Sequence, residues 1–122
     1  MNGNNFVADT NAVLYLLVGN KCMEKYIQEN LYVSVISEME LLGFPNISQE
    51  ETSCIRKFLI NCSECNISES IKEKTIELRK KYNIKLPDAI IAATAVCNKI
   101  PLLSADFIFN RIEELEFILL KP

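Results

Sequence analysis

The chain has 122 residues, the size of one domain, and its 49 % hydrophobic and 24 % charged content excludes a disordered or fibrous protein. A net charge of −3 excludes nucleic-acid binding through bulk positive charge, so any basic patch is local. No apolar run reaches membrane-spanning length. The polar start, Met1-Asn2-Gly3-Asn4-Asn5, lacks the basic and apolar regions of a signal peptide. The expectation is a single domain over residues 1–122, in the cytoplasm, with no membrane partner. Histidine is absent, which excludes imidazole relays and imidazole metal ligands. Of sixteen acids, only Asp9, Asp88 and Asp106 are aspartates.

Phe6-Val7-Ala8 reads as a buried strand running into a cap at Asp9-Thr10-Asn11. Residues 10–18 form a helix apolar nearly all round, stopped by Gly19-Asn20. Residues 21–30 read as an amphipathic helix with Cys22, Met23, Tyr26 and Ile27 on one side. Residues 31–36, rich in β-branched and aromatic side chains, form the clearest strand. Ser37, with Glu40 three residues later, reads as a capping box opening a short helix that Gly43-Phe44-Pro45 stops. Ser48 opens another helix by the same logic, running to about Cys62. Residues 68–82 form a long amphipathic helix with Ile71, Thr75, Ile76 and Leu78 inward. Pro87 and Asp88 open a helix that is apolar and small-sided through Cys97, hence buried. Pro101-Leu102-Leu103-Ser104 is a strand, residues 106–111 a turn of helix, and residues 117–120 a last strand. Strands alternating with helices across short loops predict a parallel α/β sheet covered on both faces.

Cys22, Cys54, Cys62, Cys65 and Cys97 lack the spacing of a disulfide scaffold. Cys62-Ser63-Glu64-Cys65 is a lone C-x-x-C with no second thiolate pair to complete a zinc site and no strand before it, so reduced, partly buried thiols are expected.

Ligands in an open parallel sheet bind beyond the carboxyl ends of its strands. Asp9 follows the first strand, Glu40 lies one helical turn past the second, and Asp106 lies just past the strand ending at Ser104. Asp88 opens the helix that leads back before that strand. Each acid also has a plain structural reading: Asp9 a helix cap, Glu40 the return half of a capping box, Asp88 an answer to a helix dipole, Asp106 a turn residue. Those readings leave unexplained why four acids share one edge, since clustered carboxylates repel unless a cation neutralises them. An all-oxygen acidic set suits Mg²⁺ or Mn²⁺, ions that activate water against a phosphodiester.

Four stretches carry a resemblance. They are residues 6–11 (FVADTN), 35–43 (VISEMELLG), 86–95 (LPDAIIAATA) and 103–112 (LSADFIFNRI). In order they resemble the motif blocks of PIN-domain ribonucleases, above all the VapC-type toxins of toxin–antitoxin systems. The resemblance implies a three-layer α/β/α fold around a central parallel sheet and Mg²⁺- or Mn²⁺-dependent endonucleolytic cleavage of single-stranded RNA. It makes Asp9, Glu40, Asp88 and Asp106 the catalytic and metal-binding acids. Asn11 and Ser104 become their polar supports, Ser104 standing where the family usually has threonine. Glu38 is the competing acid of the second block, and the family spacing favours Glu40. Implied products are a 5′-phosphate and a 3′-hydroxyl.

Six of the thirteen basic residues fall between Lys72 and Lys85. Arg79, Lys80, Lys81 and Lys85 read either as RNA-backbone contacts or as a solvated helix face. Leu14, Leu17, Tyr26 and Phe44 read as core; the resemblance suggests instead a groove for an antitoxin segment and a homodimer surface. Two other readings compete with the nuclease. One is a non-catalytic PIN-like module that binds RNA or protein. The other is a phosphoacceptor receiver domain, also parallel α/β, which wants an acid pair after its first strand where this chain has only Asp9.

Overall fold

The computed structural model describes residues 3–122, so Met1 and Asn2 of the polar start lie outside the described residues. Five strands form one all-parallel sheet: β1 (Asn5–Ala8), β2 (Asn30–Ser34), β3 (Ser63–Cys65), β4 (Leu102–Ser104) and β5 (Phe117–Leu119). Their order is β3-β2-β1-β4-β5. This α/β arrangement bears out the expected architecture. It also removes the receiver reading, whose strands run 2-1-3-4-5.

The helices are α1 (Thr10–Leu17), α2 (Val35–Leu42), α3 (Gln49–Ile60), α4 (Glu69–Tyr82) and α5 (Leu86–Asn98). Strand alternation sends neighbouring residues to opposite faces. Val7 and its partner Leu102 join the core under α4 and α5, with Ile71, Leu78 and Ile91. Ala8 and its partner Leu103 join the other core, with Val13 of α1, Leu41 of α2 and Ile55 of α3. Parallel strands buried on both sides read as continuous apolar runs, which is why Phe6-Val7-Ala8 and Leu102-Leu103 carry no polar alternation.

Several boundaries differ from expectation. Residues 21–30 do not form an amphipathic helix; a 3-10 turn covers Lys21–Tyr26 and Ile27 is exposed. Asn20 caps that turn tightly at the Cys22 amide, and the chain must return to pair Asn30 with Asn5 at the sheet's near end. The second strand ends at Ser34, and Val35 and Ile36 open α2. Ser34, not Ser37, is the cap, accepting from the Ile36 amide. A cap is worth about 1 kcal/mol, more than the few tenths by which β-branched residues disfavour a helix, so the helix starts early. Strand β3 was not anticipated. It is a three-residue outer strand with mostly exposed side chains, so it lacks an apolar signature. Ile76, expected inward, is exposed, whereas Ile71, Thr75 and Leu78 are buried.

Other local signals hold. Ser48 and Glu51 form a reciprocal capping box on α3, Ser68 caps α4, and Gly19 takes the left-handed φ of 72° that stops α1. All five cysteines are free. Burial pushes the Cys62 thiol up to about 11, so it is no ready thiolate. No helix among the described residues is long and apolar enough to cross a membrane.

Candidate active site

Because all five strands are parallel, the residues that follow β1, β2 and β4 emerge at one edge. Asp9 follows β1 and caps α1, its Oδ1 accepting from the Thr10 amide at 2.8 Å. Asp106 lies two residues past β4 and caps the 3-10 turn Phe107–Arg111 through the Ile108 amide at 3.0 Å. Asp88 stands in the first turn of α5, after Pro87. Glu40 lies on α2 and its Oε1 accepts from the Thr10 hydroxyl at 2.5 Å. All four acids line one open cleft of about 400 Å³, together with Thr10, Asn11, Leu14 and Phe44. The structure thus brings together Asp9, Glu40, Asp88 and Asp106. Glu38 goes elsewhere: it shares a different surface hollow with Glu64 and Arg56.

Asn11 and Ser104 tie the ends of β1 and β4 together. The Ser104 hydroxyl donates to Asp9 Oδ2 at 2.7 Å and accepts from the Asp106 amide at 3.0 Å. The Asn11 amide donates to Asp9 Oδ2 and to Ser104 Oγ, each at 3.3 Å, and its carbonyl accepts from the Ala105 amide at 3.1 Å. Ser104 is completely buried and Asp9 is 6 % exposed. A threonine hydroxyl could make the same bonds, so serine keeps the chemistry of the position.

Electrostatics mark Asp9 as the pressured member of the set. Burial pushes its carboxyl from an ordinary 3.8 up to about 6; bonds from Ser104 and Thr10 oppose the rise, and the charges of Asp88 and Glu40 add to it. Asp88 is also raised, first by burial, then by Asp106 and Glu40, with Lys85 pulling it back. No cationic side chain among the described residues lines the cleft. Four mutually repelling carboxylates with neutral donors around them form a hard, all-oxygen donor set whose charge suits a divalent cation. As placed, the described residues contain no group of three or more acids or cysteines set to hold a metal ion. Oxygens of Asp9, Glu40 and Asp106 bond to Thr10, Ser104, Asn11 and Ile108. An ionised carboxylate offers about four acceptor sites, so each acid keeps capacity beyond the bonds it makes.

Two participants escaped the sequence reading. The Thr10 hydroxyl holds Glu40 and also meets Ser37 Oγ at 2.9 Å, and Ser37 is fully buried. The signal was present in the residues beside Asp9, but a helix-start threonine looks like a cap. The basic segment is largely engaged. Lys72 pairs with Glu69, Lys74 with Glu77 and Lys81 with Glu114. Arg79 donates to the Ile84 carbonyl at 3.3 Å. Lys80 and Lys85 have no ion pair among the described residues, and only Lys85 acts on the acids, through Asp88. Of the apolar quartet, Leu14 and Phe44 wall the cleft. Leu17 is half-buried in the core. Tyr26 is core, packed edge-on against Phe6 with ring centroids 5.1 Å apart.

The sequence matches the PIN domain family over residues 6–115. No curated protein matches it. Among solved structures, it is similar to a toxin–antitoxin complex from Klebsiella pneumoniae (29 % identity, TM-score 0.77, covering 89 % of this chain and 93 % of that one). It is also similar to VapBC2 from Rickettsia felis bound to a promoter DNA fragment (18 %, TM-score 0.84, 96 % and 99 %). A third is DNA-bound VapBC from Salmonella typhimurium (16 %, TM-score 0.82, 97 % and 98 %). At such identities the last two speak to the fold alone.

Proposed function

The chain belongs to the PIN domain family, and from that premise we propose that it is a metal-dependent endoribonuclease of single-stranded RNA, the toxin of a VapC-like toxin–antitoxin pair. One observation supports the reading above others: four acids from four separate chain segments line a single cleft beyond the carboxyl ends of a parallel sheet. Similarity to a toxin–antitoxin complex supports the antitoxin partner. A homodimer belongs to the same proposal, and sedimentation of the purified chain tests it.

In this reading Asp9 and Asp88 hold the principal Mg²⁺ or Mn²⁺ ion, and Glu40 and Asp106 complete its surroundings. The ion, when bound, supplies Lewis-acid polarisation of the phosphate and a lower pKa for water. This chain's residues do the positioning. Ser104 and Asn11 fix the Asp9 carboxylate through Oδ2. Thr10 fixes Glu40. Water then attacks phosphorus, the bond to the 3′-oxygen breaks, and a 5′-phosphate and a 3′-hydroxyl remain. Lys85, beside Asp88, is the basic residue best placed to meet the RNA backbone.

The test is cleavage of single-stranded RNA with Mn²⁺ by the wild-type chain and by Asp9→Asn. Loss of cleavage in the variant is expected. Equal cleavage by both would sink the assignment of the site, and unimpaired growth of cells expressing the chain alone would sink the toxin reading.

A further inference from the structure

Leu14 and Phe44 wall two hollows. One is the acid cleft. The other, about 470 Å³, shares these two residues and is completed by Pro45, Asn46, Ile47, Glu51 and Ile55. Its volume is in the range of small-molecule sites, roughly 300–1,000 Å³. The walls are apolar with one aromatic ring, and only two side chains bring polar groups. Asn46 holds a left-handed backbone, φ 63°, that asparagine tolerates. Glu51 is fixed by the capping box, its Oε1 accepting from the Ser48 amide at 3.0 Å. Bonds from Ser48 hold its carboxyl below the usual range, so it is a charged acceptor at neutral pH.

Four carboxylates and, among the described residues, no cationic side chain line the acid cleft, Lys85 lying only beside Asp88. The phosphates of a bound strand gain little there from the protein itself. Single strands leave their bases free to stack, and stacking on an aromatic ring is a strong, charge-independent contact. Resting on the nuclease reading above, the geometry points to the second hollow as a nucleobase subsite. A base next to the scissile phosphate stacks on Phe44, and its edge is read by the Asn46 amide and the remaining oxygen of Glu51. A carboxylate accepts from exocyclic amino groups and repels carbonyl oxygens. The subsite therefore favours adenine, cytosine or guanine over uracil.

The experiment uses the full chain with Mn²⁺ and a single-stranded RNA pool randomised around the cut, with products sequenced. Phe44→Leu keeps the apolar wall and removes the ring, and is expected to lower kcat/KM roughly 10- to 100-fold. Phe44→Tyr is expected to restore it. Asn46→Gly keeps the backbone and is expected to flatten the base preference at one position. Mn²⁺ binding by calorimetry is expected to stay unchanged in all three. A parallel arm measures anisotropy of labelled RNA on Asp9→Asn with and without Phe44→Leu. RNA binding to Asp9→Asn that depends on Phe44 supports the subsite, and absence of cleavage by the wild-type chain alongside it sinks the nuclease. Cleavage with kcat/KM and base preference indifferent to Phe44 and Asn46 overturns the subsite and leaves the nuclease standing. Intact cleavage with lost inhibition by an antitoxin in Phe44→Leu likewise overturns it, assigning the hollow to a protein.

Discussion

Asp9 offers the sharpest test because its burial makes opposite predictions for stability and for function. Its folded-state carboxyl sits at about 6 against an ordinary 3.8. At about 1.36 kcal/mol per pH unit, ionising it in the folded chain costs about 3 kcal/mol. The unfolded chain ionises first, so between about pH 4 and pH 6 the folded state holds more protons and stability falls as pH rises. The contribution is fully present below the unfolded value and gone above the folded one. With chelator present, Asp9→Asn removes the ionisation while its amide oxygen can still accept from Thr10. The variant is therefore expected to be more stable than wild type near pH 7, by about 1–3 kcal/mol or roughly 5–12 °C in Tm, and no more stable near pH 4. Added Mn²⁺ should raise the wild-type Tm at neutral pH and leave the variant unmoved. Thermal melts across this pH range, with chelator and with Mn²⁺, give all four comparisons. If Asp9→Asn melts below wild type at neutral pH in chelator, the buried carboxylate is a structural keystone and the reasoning from desolvation fails.

Three further outcomes follow from the same geometry. Ser104→Ala removes the 2.7 Å donor that opposes the rise of Asp9; its pH profile for cleavage should move upward and Mn²⁺ affinity should drop about 10- to 100-fold, with Ser104→Thr restoring both. Glu40→Gln should lower cleavage at least roughly 100-fold while Glu38→Gln stays within about twofold, measured as kcat/KM on one RNA, and the reverse order would move the second-block acid to Glu38. Ser34→Ala should cost about 1 kcal/mol in urea unfolding as a lost helix cap, whereas an unchanged midpoint would return the start of α2 to a later residue.

The parts of the fold legible in the sequence were those built on buried apolar runs. β1, β4 and α5 are continuous apolar runs with a Pro or an Asp at their ends, and no other element satisfies such runs in a chain this short. Strand β3 was not legible, because an outer strand three residues long with exposed Ser63 and Glu64 buries almost nothing. The 3-10 turn was not legible either. Its apolar residues fit a helical stripe, yet its length is set by where Asn30 must pair with Asn5, a long-range constraint that periodicity does not carry.

The second-block acid shows how a residue can reach the cleft by a route other than the local one its spacing suggests. The family spacing favours Glu40 as the acid three residues after a cap at Ser37. In the structure Ser34 is the cap, and Ser37 lies inside α2, fully buried. What selects Glu40 is helical spacing from Ser37. Residues three apart share a face, and that face meets Thr10, whose hydroxyl contacts both. Glu38 is one position around from Ser37, roughly 100° on the helix, and so turns to Glu64 on β3. Moving the cap three residues earlier therefore leaves the acid unchanged, because one face of α2 is pinned by Thr10 at the end of β1. The link from sequence to site runs through that long-range contact, not through the cap.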